Sequence, residues 1–125
     1  SLNVAPVAIL TAGAEAREHS AAGAQVWRCG NGVRVNPAEV VRRAAAEGIG
    51  SILIEGGGQL AASFLREGLI DELAWFRAPI LIGGTGLPAV GELGLTDLKA
   101  AARWRPVATE RIGDDVLDTY VRIEQ

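Results

Sequence analysis

The apolar positions of this chain are grouped into short runs and helical stripes, and one run organises the others. It extends from Ser51 to Ile54 and is almost unbroken, which predicts a strand buried on both faces, as in a parallel sheet. Glu55 and three glycines follow, and a helical pattern begins at about Gln59. A strand, a glycine turn and a helix in this order place backbone N–H groups at a helix N-terminus, which favours anions. We therefore expect an anion site at the carboxyl edge of a sheet.

Three elements are predicted near the amino terminus. Val7–Leu10 is an apolar run that predicts a buried strand, with Thr11 at its carboxyl end. Residues 14–22 mix Ala, Glu, Arg and His and predict a short exposed helix. Gln25–Cys29 predicts a further strand, which ends at the turn Gly30–Gly32.

A helix is predicted between this strand and the central apolar run. Asn36 suits the N-cap, Pro37 suits the first helical position, and Glu39 can return to the N–H of the cap. Gly48 provides the C-terminal stop. The stripe expected to face the sheet consists of Val40, Val41, Ala44 and Ala45. Strand, helix and central strand would then form a right-handed crossover.

The segment after the glycines predicts a second helix and a long strand. The helix extends over about residues 59–67, and Leu60 and Phe64 lie on the face that we expect to pack on the sheet. Asp71–Ile82 predicts a strand. Because Pro79 cannot donate to a hydrogen-bond ladder, this strand is expected to carry a bulge or to lie at an edge.

The end of the chain has a different pattern. Residues 83–94 are rich in glycine and proline and predict a loop. Arg103–Ile112 and Val116–Ile123 flank Gly113, Asp114 and Asp115, which predict a hairpin turn between two antiparallel strands. The whole order predicts an α/β fold, with a mainly parallel sheet flanked by helices and a C-terminal antiparallel hairpin.

Composition narrows the class of protein. The 125 residues are 49% hydrophobic and 22% charged, which fits one globular domain. A net charge of -3 without a basic cluster argues against a nucleic-acid partner. No apolar run in the sequence is long enough to predict a membrane span. The sequence has one cysteine and one histidine, so we expect no internal disulfide and no metal site in a cytoplasmic protein. Because it contains no methionine, we expect it to be part of a longer protein.

Four segments at consistent spacing resemble one enzyme family. They are Ile52–Leu60, which holds the glutamate and the glycines, Leu69–Leu73, Ala78–Gly84 and Gly113–Leu117. Together they resemble the carboxyl-terminal part of the riboflavin-biosynthesis pyrimidine reductase domain, which has a dihydrofolate-reductase-like fold. In bacteria that domain usually follows a zinc-dependent deaminase in one bifunctional protein.

The resemblance implies an activity and a set of contact residues. NADPH would reduce the ribosyl group of 5-amino-6-(5-phosphoribosylamino)uracil, opening the sugar to the ribitylamino product. Glu55 matches the family's substrate-contacting glutamate. The residues that match its cofactor contacts are Gly57, Gly58, Gln59, Leu60, Ala61, Ala62 and Ser63, together with Thr11 and Ala12. The resemblance also implies a homodimer, and it assigns no catalytic side chain and no metal ligand to this chain.

Part of the family's domain has no counterpart here. The lysine-containing strand, the Ser-Leu-Asp-Gly stretch and the arginine- and aspartate-bearing substrate segment do not occur in residues 1–125. We therefore expect the chain to be the C-terminal portion of a single reductase domain, without the N-terminal half of that domain and without the deaminase domain. Its active site would then be incomplete on its own.

Other interpretations fit the same residues. Glu55 could be a strand-end carboxylate that pairs with an arginine, and the three glycines could form a tight turn without a ligand. The chain could be a non-catalytic fragment that binds the cofactor and dimerises. It could also be a related reductase of the same fold that acts on another pyrimidine or on a pterin.

Overall fold

The computed structural model describes residues 6–13 and 20–123, and in these residues the chain divides into two units between Ile54 and Glu55. Within that part of the chain it forms two α-helices, five strands and one turn of 3-10 helix. Most of the helix predicted over residues 14–22 lies outside the described residues. Each unit is built around its own secondary structure, and the two are taken in turn.

The first unit contains a small parallel sheet. Strand β1 (Ala8–Thr11) pairs with strand β2 (Gln25–Arg28), and Ala8 lies opposite Gln25 in the register. Both strands were predicted from their apolar runs, and both predictions are confirmed to within one residue at each end. The first run is less buried than expected, because the side chain of Leu10 is exposed.

Helix α1 (Pro37–Ala46) begins where its capping residues predict. The Asn36 Oδ1 accepts a hydrogen bond of 3.2 Å from the Glu39 N–H, as an N-cap does. The predicted return bond from the Glu39 side chain is wrong, because the Asn36 N–H donates instead to the Cys29 carbonyl at 2.9 Å. Gly48 ends the helix with a φ of +78°, the left-handed conformation that glycine adopts without strain.

The core of this unit lies between β2 and α1. Its buried apolar residues are Ala24, Trp27, Cys29, Val40 and Ala44. The guanidinium of Arg43 lies 5.4 Å from the centre of the Trp27 ring and also forms an ion pair of 2.6 Å with Glu47. The buried stripe of α1 is narrower than predicted, because Ala45 is exposed. The Arg43 side chain therefore covers one face of the Trp27 ring, with its guanidinium in a cation–π contact.

The central strand predicted over Ser51–Ile54 is wrong. These residues have no strand partner among those that the structure describes, and the Leu53 side chain is 80% exposed. An apolar run becomes a buried strand only when another backbone pairs with it and side chains cover its faces. The predicted crossover through α1 is therefore not completed, although the helix that would form it is present.

Helix α2 (Gly58–Arg66) follows the glycines and starts the second unit's regular structure. The residues that it buries are Ala62 and Phe64. The expectation that Leu60 packs in the interior is wrong, because 43% of its side chain is exposed. Gly68 ends the helix with a φ of +64°, as the sequence predicts.

The second unit also contains a three-stranded antiparallel sheet. Strand β5 (Asp115–Arg122) lies between β3 (Glu72–Arg77) and β4 (Trp104–Ile112), and a 3-10 turn (Leu98–Ala100) precedes β4. Strands β4 and β5 form the predicted hairpin. The expectation of a mainly parallel sheet is wrong for the described residues, because antiparallel pairs outnumber the single parallel one.

Strand β3 is shorter than predicted. It ends at Arg77, and the segment Ala78–Ile82 forms no strand and exposes Leu81 fully. Pro79 lacks an N–H group, so a ladder cannot continue regularly through it. The register irregularity of the sheet lies instead in the edge strand β4, between Pro106 and Ala108. Residues 83–94 are irregular, as expected for a loop.

Candidate functional site

The turn between Glu55 and helix α2 exposes unpaired backbone donors. Gly57 is the N-cap in an extended conformation, and no side chain caps the helix. Its carbonyl accepts from the N–H groups of Leu60 at 2.9 Å and Ala61 at 3.2 Å. Within the described residues, the N–H groups of Gly58 and Gln59 have no acceptor. These donors lie at the positive end of the helix dipole, so the turn can bind an anion.

The three glycines differ in the space that surrounds them. A Cβ at Gly56 would lie 2.4 Å from the Leu60 Cδ2, a side-chain atom that can move. A Cβ at Gly57 would have no neighbour within 4 Å, so this position is open. A Cβ at Gly58 would lie 2.5 Å from the carbonyl oxygen of Pro88, which is backbone and cannot move easily. Packing therefore demands glycine at Gly58, whereas Gly57 leaves its backbone accessible.

A loop of the same unit packs against the start of α2. The Gly91 N–H donates to the Gly58 carbonyl at 2.8 Å, and the carbonyl oxygen of Ala89 lies 3.2 Å from the place that a Cβ at Gly58 would occupy. Gly57 and Gln59 remain exposed on either side of this contact. The loop thus fixes the first residue of the helix while the donors beside it stay open to solvent.

Glu55 lies directly before this turn and is exposed. Among the described residues its carboxylate forms no ion pair, so the interpretation as a strand-end partner of an arginine finds no support. A free carboxylate next to free N–H donors can accept a hydrogen bond from a ligand whose anionic group the donors hold.

The other predicted residues of α2 divide by their exposure. Gln59 and Leu60 are exposed and Ala61 is half-buried, so all three can contact a ligand. Ala62 is fully buried and contributes to the core. Ser63 lies in the second helical turn, and its hydroxyl donates to the Leu60 carbonyl at 2.7 Å. The accessible part of the predicted set therefore ends at Ala61.

Thr11 and Ala12 belong to the first unit. The Thr11 carbonyl accepts from the Cys29 N–H at 2.8 Å, and the Ala12 carbonyl accepts from the Gly32 N–H at 2.7 Å. The Thr11 hydroxyl oxygen lies 3.4 Å from the Gly13 N–H. The predicted site residues therefore fall into two sets, with Glu55 and the glycine turn in one unit and Thr11 and Ala12 in the other.

A polar cluster in the antiparallel sheet was not predicted. Asp118 is only 6% exposed and accepts hydrogen bonds from Thr109 at 2.7 Å and from Arg77 at 2.9 and 2.6 Å. The hydrogen bond from Thr109, followed by those from Arg77, lowers the pKa of the Asp118 carboxyl below its ordinary value. The signal available in the sequence was an aspartate in the middle of a strand, which is a depleted position. The cluster is satisfied internally and joins strands.

Two further features are absent from the described residues. No group of three histidine, cysteine, aspartate or glutamate side chains there could hold a metal ion. Nor does that part of the chain contain a helix of the length and apolar character that a membrane crossing requires.

Sequence comparison relates the chain to one family. Residues 2–117 match the RibD C-terminal domain. Over 85 residues the chain is 40% identical to the riboflavin biosynthesis protein RibD of Mycobacterium tuberculosis. The matched region covers 68% of this chain and 24% of that protein. Over 84 residues it is 39% identical to the chloroplastic riboflavin biosynthesis protein PYRR of Arabidopsis thaliana, covering 66% of this chain and 14% of that protein. The chain thus spans about a quarter of the first relative's length and less of the second.

Structural comparison agrees with the sequence. RibD of Acinetobacter baumannii superimposes with a TM-score of 0.77 at 21% identity, over 94% of this chain and 31% of that one. The shared feature at this identity is the mixed α/β fold, with its parallel and antiparallel pairs. The family match extends over most of the described residues, including the glycine turn and strands β3 and β4 of the second unit. The chain therefore belongs to the RibD C-terminal domain family.

Proposed function

We propose that this chain is the carboxyl-terminal portion of a dihydrofolate-reductase-like reductase domain of riboflavin biosynthesis. The reaction is the NADPH-dependent reduction of the ribosyl group of 5-amino-6-(5-phosphoribosylamino)uracil to the ribitylamino product. One observation carries the proposal: an exposed Glu55 lies next to a helix N-terminus whose first N–H groups have no acceptor in the described residues. Membership of the family supports the same reaction class.

The turn fits a cofactor phosphate by the chemistry of its donors. The N–H groups of Gly58 and Gln59 would hold the phosphate, and the missing side chain of Gly57 lets it approach the backbone. No metal is needed to neutralise it, because the helix dipole and the N–H groups supply the positive potential. Leu60 and Ala61 would contact the apolar parts of the cofactor.

Glu55 has a separate role in this proposal. When bound, NADPH would supply the hydride that reduces C1 of the ribose moiety; the bond from C1 to the ring oxygen would break, and a proton from solvent would complete the new hydroxyl. The Glu55 carboxylate would accept a hydrogen bond from a substrate hydroxyl or amine and hold the sugar in one orientation. It acts by positioning, and it need not transfer a proton.

The proposal includes partners and location. The substrate is a pyrimidine ribosyl phosphate, the protein works as a homodimer, and the setting is the cytoplasm. By the resemblance, Thr11 and Ala12 would also contact the cofactor. Ser63 would support the helix start through its hydrogen bond to the Leu60 carbonyl. The cofactor would leave the site as NADP after the hydride transfer.

A second candidate is a non-catalytic module that binds the cofactor. Two observations favour it: the chain spans 24% of its M. tuberculosis relative, and the apolar side chains of Leu53 and Leu81 are exposed rather than packed. Residues that complete a substrate site would then come from elsewhere. A turnover assay separates the candidates, because the module binds NADPH without oxidising it in the presence of the ribosylaminopyrimidine.

The cofactor contact itself is tested by charge at the N-cap. Gly57→Asp places a carboxylate where the phosphate is proposed, whereas Gly57→Asn has nearly the same shape without the charge. Both residues are good N-caps, so both variants should be as stable as the native chain or more stable by a few tenths of a kcal/mol. We expect NADPH titration calorimetry to detect binding to Gly57→Asn and none to Gly57→Asp. Equal binding by the two variants would reject the proposed contact.

A further inference from the structure

A groove with three arginines lies at the other end of helix α2 from the glycine turn. Its volume is about 620 Å³, and its lining residues are Leu65, Arg66, Gly68, Ala100, Ala102, Arg103, Arg122 and Ile123. All of them belong to the second unit. Because α2 rises about 1.5 Å per residue, its last turn is roughly 12 Å along the axis from Gly58. The groove is therefore separate from the proposed cofactor contact.

Two of the arginines are held by backbone carbonyls. The Arg66 Nη1 donates to the Glu92 carbonyl at 2.6 Å. The Arg122 Nη1 donates to the Gly68 carbonyl, just beyond the end of α2. A guanidinium has five N–H donors, so each side chain is oriented by one bond and keeps others for a ligand. The groove is thus partly pre-organised.

The third arginine, Arg103, has no side-chain partner in the part of the chain that the structure describes. The Arg103 side chain is exposed and forms no ion pair with any described residue, while its carbonyl accepts from the Ile123 N–H at 3.1 Å. Its backbone is therefore fixed in the groove wall while its charge is available. Three positive side chains that line one groove raise the local positive potential, which favours an anion there.

The groove carries an excess of positive charge in a chain whose net charge is -3. Among the described residues, the arginines of the groove form one ion pair. It is a long contact of 3.9 Å between Arg122 and Asp71, and the Asp71 side chain is 95% exposed. The C-terminal end of α2 would oppose an anion, but Arg122 covers the Gly68 carbonyl there. Three full charges outweigh the remaining half charge of the helix end.

We propose that this groove binds the phosphate ester or pyrophosphate group of a small molecule. Planar guanidinium groups match phosphate oxygens in pairs, which favours this class over a simple monovalent anion. Leu65 and Ile123 provide an apolar wall for the organic part of the ligand. The site is additional to the glycine turn and does not depend on the proposed reductase activity.

The test uses inorganic pyrophosphate as the probe and compares two charge-matched variants of the full chain. Arg103→Gln removes the free charge of the groove, and Arg42→Gln removes one exposed charge from α1 in the other unit. We expect calorimetry to detect pyrophosphate binding to the native chain, weakening as NaCl concentration rises. Arg103→Gln should weaken it about tenfold, the loss expected for a charge-assisted contact, and Arg42→Gln should leave it unchanged. Arg66→Gln provides a second groove variant, and thermal melting checks that each one folds.

Three results would overturn the proposal. One is the absence of pyrophosphate binding to the native chain at millimolar concentration. Another is equal weakening by Arg103→Gln and Arg42→Gln, which would mean a general charge effect. The third is binding that survives Arg103→Gln and Arg66→Gln but is lost in Gly57→Asp, which would assign the pyrophosphate to the glycine turn. Failure of NADPH to bind would contradict the proposed function and leave the groove intact.

Discussion

The carboxylate of Asp118 lies 2.6 Å from the Nη2 and 2.9 Å from the Nε of Arg77, so the central strand β5 is joined to the edge strand β3 by side chains as well as by its ladder. On its other side the same carboxylate accepts from the Thr109 hydroxyl of β4 at 2.7 Å. One buried acid therefore connects all three strands of the second unit's sheet.

This cluster predicts a pH dependence of stability. The pKa of the Asp118 carboxyl is lowered in the folded chain, first by Thr109 and then by Arg77, from an ordinary value of 3.8. A lowered folded-state pKa contributes stability that is present above 3.8 and is lost as pH falls through the lowered value. Urea unfolding measured from neutral pH to about pH 3 should therefore show a steeper acid loss in the native chain than in Asp118→Asn.

The control for this prediction is the hydroxyl donor. Thr109→Val removes one of the two partners and should give an acid loss between those of the native chain and Asp118→Asn, because Arg77 remains. Identical pH profiles for all three proteins would show that the cluster makes no charge-dependent contribution to folding.

Two adjacent glycines should respond differently to the same methyl group. Gly58→Ala brings a Cβ to 2.5 Å from the Pro88 carbonyl oxygen, whereas Gly57→Ala adds a methyl group with no neighbour within 4 Å. We expect Gly58→Ala to lower the free energy of unfolding by about 1–3 kcal/mol, as overpacking does. Gly57→Ala should change it by less than about 1 kcal/mol, because the poorer N-cap is opposed by the reduced freedom of the unfolded chain. Chemical denaturation measures both changes. A larger loss of stability in Gly57→Ala than in Gly58→Ala would contradict the contact between Gly58 and the loop at Pro88.

The N-cap of α1 predicts a third result. Asn36→Ala removes the acceptor of the Glu39 N–H and should cost about 1 kcal/mol in the free energy of unfolding. Asn36→Asp keeps an acceptor at the same place and should stay within about 0.5 kcal/mol of the native chain. Equal losses in the two variants would indicate that the Asn36 side chain acts through another contact.

The thiol of Cys29 should be protected from reaction. It is 1% exposed, and burial raises its pKa above the ordinary value of 9.0, with a smaller contribution from Glu39 in the same direction and from Arg43 in the opposite one. At neutral pH the folded chain therefore holds the unreactive protonated thiol. We expect labelling by a disulfide reagent to be slow in buffer and fast in denaturant. Immediate labelling of the native chain would contradict the burial of β2 against α1.

The sequence correctly predicted the features that are determined by residues close to one another along the chain. The cap at Asn36, the stop at Gly48 and the turn at Gly113 act within a few positions, and all three are found where expected. The glycine turn before α2 is also found, because a strand-like run, glycines and a helical stripe follow one another directly.

Features that depend on distant residues were missed. Ser51–Ile54 has the composition of a buried strand, but composition cannot supply the neighbouring backbone that a strand needs. The alternation along β5 assigned Asp118 to a polar face, and its burial depends on Arg77, 41 positions away. For the candidate site, the sequence predicted Glu55 and Gly57, and both are exposed. It predicted neither the loop that contacts Gly58 nor the burial of Ala62.

The tight hairpin has a consequence for the order of folding. Thr109 and Asp118 are only 9 positions apart, so their bond can form as soon as β4 and β5 meet, on a timescale of about 1–10 μs for an isolated hairpin. Arg77 must close a far longer stretch of chain before it reaches the same carboxylate, at a greater entropic cost. We therefore expect Asp118 to bond to Thr109 early and to Arg77 last. Docking of β3 is then the slower event in the assembly of this sheet.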